Sequence, residues 1–203
     1  MADTVSTSRI RVKTAPGASV DVVAHRVEQW GRDVILDFNA SADEVATVLD
    51  QVAVLAEHAH VAAVEQPFAP GDLVAHARLA EILDVPVSID EGLRSLADLR
   101  RIERYRAASM VCVKTARVGG LAPARAILAD CNATGMSAYV GGFFDSPLAR
   151  RASRAVAAGF DVGPSDVADV SVHGDDVGTS RGIGIGFVPS LDNAVMLAAV
   201  TIP

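Results

Sequence analysis

Lysine is the scarcest charged residue in this sequence. Of 18 basic side chains only Lys13 and Lys114 are lysine, and all the others are arginine. Aromatic residues are also few, at 4% of 203 residues, so Val, Ala, Leu and Ile must build the core. The two cysteines, Cys112 and Cys131, make neither a CxxC redox pair nor a disulfide framework, which points to a reducing cytosol. Basic charge is not in excess. The net charge of −7 has the wrong sign for a phosphate backbone, so a nucleic-acid partner is not expected. No stretch approaches the roughly 20 apolar residues needed to cross a bilayer. Residues Met1–Ser8 are polar and lack the apolar segment of a signal peptide. These shortages together predict a cytoplasmic protein without a membrane partner.

What is present is a regular alternation. Half of the residues are hydrophobic and mean hydropathy is +0.31, as expected where a parallel sheet is covered on both faces. Short runs such as Arg9–Thr14, Asp33–Asn39, Val61–Gln66, Val85–Asp90, Ser109–Lys114, Met136–Val140 and Asp166–Val172 read as strands. Helical periods lie between them, over Val20–Trp30, from Ser41 to about His58, and over Asp72–Leu83, Ser95–Tyr105, Pro123–Gly135 and Ser146–Ala158. Ser41 with Glu44 three residues later fits a capping box. Seven strands joined by six helices imply an α/β fold with right-handed crossovers. Polar residues close the strands at Lys13, Asp37, Glu65, Asp90, Lys114 and Gly141, at intervals of 24 to 28 residues. That evenness favours a TIM-type (β/α) barrel, incomplete at about seven units, over an open sheet. The expected domain is 9–186, preceded by leader residues 1–8 and followed by a return segment, 187–203.

Three successive strands end in one carboxylate each: Asp37, Glu65 and Asp90. On a barrel these converge at the carboxyl end of the strands, where such folds place their active sites. Three neighbouring anions repel one another unless a cation holds them. Oxygen-only ligands suit a hard divalent ion, Mg2+ first and Mn2+ second. Lys13 stands one strand before the trio and Lys114 one strand after it, so the lysines should face each other across the metal. The layout fits abstraction of a proton α to a carboxylate, with the ion absorbing charge as an enediolate forms and the lysines working as acid and base.

The motifs around these residues resemble the enolase superfamily in its muconate-lactonizing branch. They come nearest to o-succinylbenzoate synthases and N-acylamino acid racemases. Arg11-Val12-Lys13 is similar to the family's KxK strand, Asp37-Phe38-Asn39 to its DxN, Glu65-Gln66-Pro67 to its EQP and Asp90-Glu91 to its DE. Lys114 with Arg117-Val118-Gly119-Gly120 is similar to KxxRVGG. The resemblance implies Lys13 and Lys114 as the catalytic pair and Asp37, Glu65 and Asp90 as metal ligands. It places Arg11, Asn39, Glu91, Gly141 and Gly142 beside the substrate or the ligands. Four departures stand out: Arg11 replaces a lysine, Gly92 replaces a serine, Phe38 replaces a small residue and should narrow the pocket floor, and Phe143-Phe144-Asp145-Ser146-Pro147 differs from the usual loop. Family members also carry an N-terminal capping domain and a first barrel strand before the KxK strand, whereas this sequence starts almost at that strand.

The expected activity is therefore an isomerase or lyase acting on a small carboxylate. Dipeptide epimerase or muconate cycloisomerase chemistry is the alternative within the enzyme class. A truncated, non-catalytic barrel is the alternative outside it. Two open strand edges predict a homo-oligomer or a companion chain that supplies the missing strand and cap. The five histidines (His25, His58, His60, His76 and His173) read as surface residues without ligand spacing. Gly182-Ile183-Gly184-Ile185-Gly186 opens no helix and reads as turn or strand rather than a dinucleotide loop. Arg100, Arg101, Arg104 and Arg106 form a solvated helix face.

Overall fold

The computed structural model describes residues 9–143, 145–160 and 162–167. Its elements alternate strictly. They are β1 (Arg9–Lys13), α1 (Asp21–Trp30), β2 (Asp33–Asp37), α2 (Val45–Ala56), β3 (Val61–Glu65), α3 (Leu73–Ile82), β4 (Val87–Ile89), α4 (Leu96–Tyr105), β5 (Met110–Lys114), α5 (Leu121–Thr134), β6 (Ser137–Gly141) and α6 (Pro147–Ala158). All six strands are parallel and lie in sequence order. A parallel bridge from Gly141 to Asp166 starts a seventh position beside β6. The rest of the expected seventh strand, the 182–186 glycine run, His173 and segment 187–203 lie outside the described residues. No described helix is long and apolar enough to cross a membrane.

The sheet is curled. Six flat strands about 4.8 Å apart would set β1 and β6 roughly 24 Å from each other, well beyond the reach of an arginine. Yet the Arg9 guanidinium on β1 sits 5.0 Å from the Tyr139 ring centre on β6, and Arg11 is 6.0 Å from the same ring. The curl gives the sheet two apolar faces with separate cores. The larger one lies between strands and helices and includes Val34, Leu36, Val64, Ile89, Val111, Val113 and Val140. A small inner cluster of Ile35, Ala63, Cys112 and Tyr139 faces the concave side. Period-2 alternation explains the division, since neighbours along one strand point to opposite faces. The cysteines behave as expected of small hydrophobes, Cys112 on its strand and Cys131 in α5, both buried.

Helix ends follow local chemistry. Gly31 closes α1 in the left-handed conformation, φ 57°, and donates to Val27 O and Glu28 O. Asp72, Ser95 and Ser146 cap α3, α4 and α6 by accepting from the amides of Ala75, Asp98 and Ala149. The capping box expected at Ser41 does not form. Asn39 and Ala40 both have positive φ, which turns the chain before the helix starts, and the Ser41 hydroxyl donates to Phe38 O at 2.6 Å instead. Helix α2 begins at Val45 with no side-chain cap. Phe38 is also corrected: it is fully buried in the core between sheet and helices, not in the floor of the concave face. His76 is a third correction, because it is buried in α3 and not on the surface. The arginine face of α4 is exposed, as expected.

Candidate active site

The strand ends hold the expected side chains on one rim. In-register pairing sets Lys13 beside Asp37, Asp37 beside Glu65, and Lys114 beside Gly141. Asp37, Glu65 and Asp90 are almost fully buried, and each is held by at least one cation. Lys13 Nζ lies 3.2 Å from Asp37 Oδ2 and also donates to Asn39 Oδ1. Asn39 returns its amide to Asp37 Oδ1 at 3.0 Å and its side-chain nitrogen to Glu91 Oε1 at 3.2 Å. On the other flank Lys114 Nζ donates to Asp90 Oδ2 at 2.6 Å, and Arg117 donates to Asp90 Oδ1. The two lysines differ in setting: the Lys13 side chain is 67% exposed and that of Lys114 only 9%, so Lys114 alone is a buried strand-end lysine.

Glu65 sits at the middle. Arg11 reaches its Oε2 at 3.1 Å and bridges to Asp166 at 3.0 Å, so the family-like lysine position carries a fixed cation here. The Tyr139 hydroxyl donates to the same Oε2 at 2.6 Å. Glu65 Oε1 is buried with no hydrogen-bond partner. Burial pushes the Glu65 carboxyl up to about 7, with Asp37 and Asp90 adding to it and Arg11 and Tyr139 opposing. Burial works against the Arg11 guanidinium too, but Glu65, Tyr139 and Asp166 outweigh it and keep Arg11 protonated. This ion pair is therefore fixed on the arginine side and titrates on the glutamate side.

Glu65, Asp90 and Cys112 bring donor atoms within 4.8 Å of one another, and Asp37 lies outside that group. Burial pushes the Cys112 thiol well above its ordinary value, so it stays protonated and is a poor donor for a hard ion. The carboxylate oxygens fit a divalent cation. Glu65 Oε1, a buried acceptor with no hydrogen-bond partner, is the oxygen placed to serve as a ligand.

Four contributors were not singled out from the sequence as site residues: Gln66, His76, Arg117 and Tyr139. Gln66 is buried at φ 36°, and its Oε1 accepts the amides of Asp90 (3.0 Å) and Gly92 (2.9 Å). Its Nε2 donates to Phe68 O at 2.9 Å and lies 3.3 Å from His76 Nε2. His76 Nδ1 lies 2.7 Å from Asp72 O, which places the ring proton on Nδ1 and leaves Nε2 as acceptor. Every polar atom of Gln66 is thus engaged, and the chain leading into Asp90 and Glu91 is held in place. His76→Leu is expected to cost about 1–3 kcal/mol by leaving a buried donor on Gln66 unpaired, read as a fall in Tm. An unchanged melt would show that His76 does not hold Gln66. For Tyr139 the alternation of β6 was the available signal, since it lies two residues before Gly141 and so shares its face.

The small residues have steric reasons. A Cβ on Gly92 would meet Ile89 Cγ2 at 2.8 Å and Pro70 O at 3.2 Å, so the serine common at this point in the family has no room here. A Cβ on Gly141 would meet Cys112 Sγ at 2.5 Å and Lys114 Cε at 3.0 Å. Gly141→Ala is therefore expected to destabilise by about 1–3 kcal/mol. Adding Cys112→Ala should restore part of the loss, a coupling that a double-mutant thermal series would detect. Simple additivity of the two changes would contradict this packing. The mouth of the site carries Phe143, whose ring centre is 4.8 Å from Lys114 Nζ and 5.0 Å from the Arg117 guanidinium.

Known proteins show the same arrangement of chain. The sequence is 31% identical over 194 residues to the o-succinylbenzoate synthase of Geobacillus stearothermophilus, covering 88% of this chain and 51% of that protein. It is 32% identical over 149 residues to an N-succinylamino acid racemase of an Amycolatopsis species, covering 73% and 40%. A solved mandelate racemase/muconate lactonizing protein from Herpetosiphon aurantiacus superposes with a TM-score of 0.69 at 30% identity, over 79% of this chain and 47% of that one. The chain spans about half the length, or less, of these relatives. The family described as "Enolase C-terminal domain-like" matches residues 2–180, which takes in all six strand–helix units. With the match running through every unit that carries the site, the chain belongs to the enolase C-terminal domain-like family.

Proposed function

We propose that this chain provides the proton-transfer site of an enzyme acting at a carbon α to a carboxylate, of the o-succinylbenzoate synthase or N-acylamino acid racemase kind. The observation that carries this is the placement of two lysines on opposite flanks of a buried carboxylate row, Lys13 at Asp37 and Lys114 at Asp90. Asp37, Glu65 and Asp90 would hold Mg2+, with Mn2+ as substitute, and the bound ion supplies charge neutralisation at the substrate carboxylate. Lys114 and Lys13 take and return the α-proton from opposite faces. Arg117 keeps Asp90 anchored when Lys114 turns toward substrate, since it holds the other carboxylate oxygen. Asn39 ties Lys13 to Asp37 and Glu91, which limits the directions from which that flexible lysine approaches. Similarity to both a synthase and a racemase supports shared proton abstraction with different outcomes.

The test is solvent exchange. With Mg2+ and N-acylamino acids in deuterated water, deuterium should enter the α position. The o-succinylbenzoate precursor should lose water. Neither exchange nor dehydration with a folded, Mg2+-loaded protein would overturn the proposal.

A further inference from the structure

The opposite end of the fold carries a second set of ligand-type side chains. His25 and Glu28 are three residues apart on α1 and so share one helix face. His58 follows the end of α2, where its amide and that of Ala59 both donate to Leu55 O at 3.0 Å. Its Nδ1 lies 3.3 Å from Glu28 Oε2, and its ring meets that of His25 edge to face at 5.3 Å, with 88° between planes. One donor atom from each of His25, Glu28 and His58 lies within 4.8 Å of the others. The sequence conceals this grouping, because the third member is 30 residues from the second.

We propose that His25, Glu28 and His58 form a binding site for a borderline divalent transition ion of the Zn2+ class. Two imidazoles and a carboxylate are the donor types such ions take, whereas Mg2+ prefers oxygen alone. Bonds of about 2.0–2.2 Å in a tetrahedral arrangement set donors about 3.4 Å apart. Closing from 4.8 Å needs only small side-chain rotations. Freedom for this lies with His25, which is exposed, and Glu28, whose side chain is 62% exposed, while His58 is the more fixed member. Three protein donors leave a fourth position for water. His25 lies at the middle of α1 and Glu28 in its last turn, before Gly31 returns the chain to β2, and His58 lies just before β3. The site is therefore at the amino ends of the strands, away from Lys13, Asp37, Glu65 and Lys114 at the carboxyl ends. Its effect is structural: the ion would clip α1, the first helix of the fold, to α2.

Zn2+ is titrated calorimetrically into the protein held in excess Mg2+, which occupies the carboxylate site. One Zn2+ should bind per chain and raise Tm by about 5 °C or more at a hundredfold excess over Kd. His25→Ala and His58→Ala should each weaken binding by about tenfold or more and abolish the rise, with Tm in chelator unchanged. His60→Ala, which removes a nearby imidazole paired with Asp33, should leave binding intact. Absence of Zn2+ binding, or binding that survives both His25→Ala and His58→Ala, would overturn the proposal. So would equal loss in His60→Ala.

Discussion

Replacing Lys114 by methionine is expected to lower α-deuterium exchange by about 10²–10⁴-fold while leaving the protein folded. Methionine keeps the length of the stem and its packing under Phe143 but carries no transferable proton. Lys114 is the right residue to remove because its ammonium is buried and 2.6 Å from Asp90. Ordinarily, taking one partner from a buried ion pair costs about 3–5 kcal/mol. Here Arg117 remains on the other Asp90 oxygen, so the cost should be at the low end or below it. Lys13→Met provides the complement. If the lysines act on opposite faces, each variant should block exchange of one enantiomer of an N-acylamino acid and slow that of the other less. Wild-type exchange in Lys114→Met would remove Lys114 from the chemistry. Loss of exchange together with loss of the fold would be resolved by Lys114→Arg, which keeps the charge on Asp90 but is a far poorer base.

A second large effect concerns pH. In chelator, the protein should lose stability as pH rises from about 4.5 to about 7, by on the order of 3 kcal/mol from Glu65 alone. Glu65 in the folded chain holds its proton up to about 7, whereas the unfolded chain releases it near 4.5. Between those values the folded state binds more protons, so raising pH favours unfolding. Below the window both states are protonated and above it both are ionised, and this contribution is flat. The slope should vanish in Glu65→Gln, measured as the difference between the two urea-unfolding series across pH. Mg2+ should reverse the trend, because binding requires the ionised carboxylate and displaces its proton; affinity should climb with pH up to about 7 and then level. Parallel pH profiles for the wild type and Glu65→Gln would refute the buried, charge-crowded setting of this residue.

Much of the fold was legible in the sequence because its signals are local. Strand alternation and the helix starts at Asp72, Ser95 and Ser146 depend on a few neighbouring residues, and those helices begin within one residue of the expected positions. The strand-end row of Lys13, Asp37, Glu65, Asp90 and Lys114 was legible for a related reason: a parallel sheet of sequential units brings all carboxyl ends to one rim. The misses have two sources, a backbone turn at one helix start and contacts between distant elements. Ser41 fails as a cap because the positive φ at Asn39 and Ala40 sets the turn first. His76 is buried because Gln66, ten residues earlier and on another element, needs its nitrogen. Tyr139 meets Glu65 across 74 residues, and only the curl of the sheet creates that contact.

The sequential order of the strands has a further consequence, for the way the molecule opens. Each described strand pairs its backbone only with its predecessor and successor, so among the described residues the β1 ladder is paired on one side alone, by β2. Transient opening should therefore proceed from the outermost unit inward as separate, graded excursions rather than in one concerted event. Detachment of β1 would carry away Lys13 and Arg11 together and leave Lys114, Asp90 and Arg117 assembled. Amide hydrogen exchange should accordingly be fast along Arg9–Lys13, slower in β2 and slowest in β3 to β5. Of the proposed proton-handling pair, Lys13 is thus mounted on the least protected rung of the ladder and Lys114 nearer its middle.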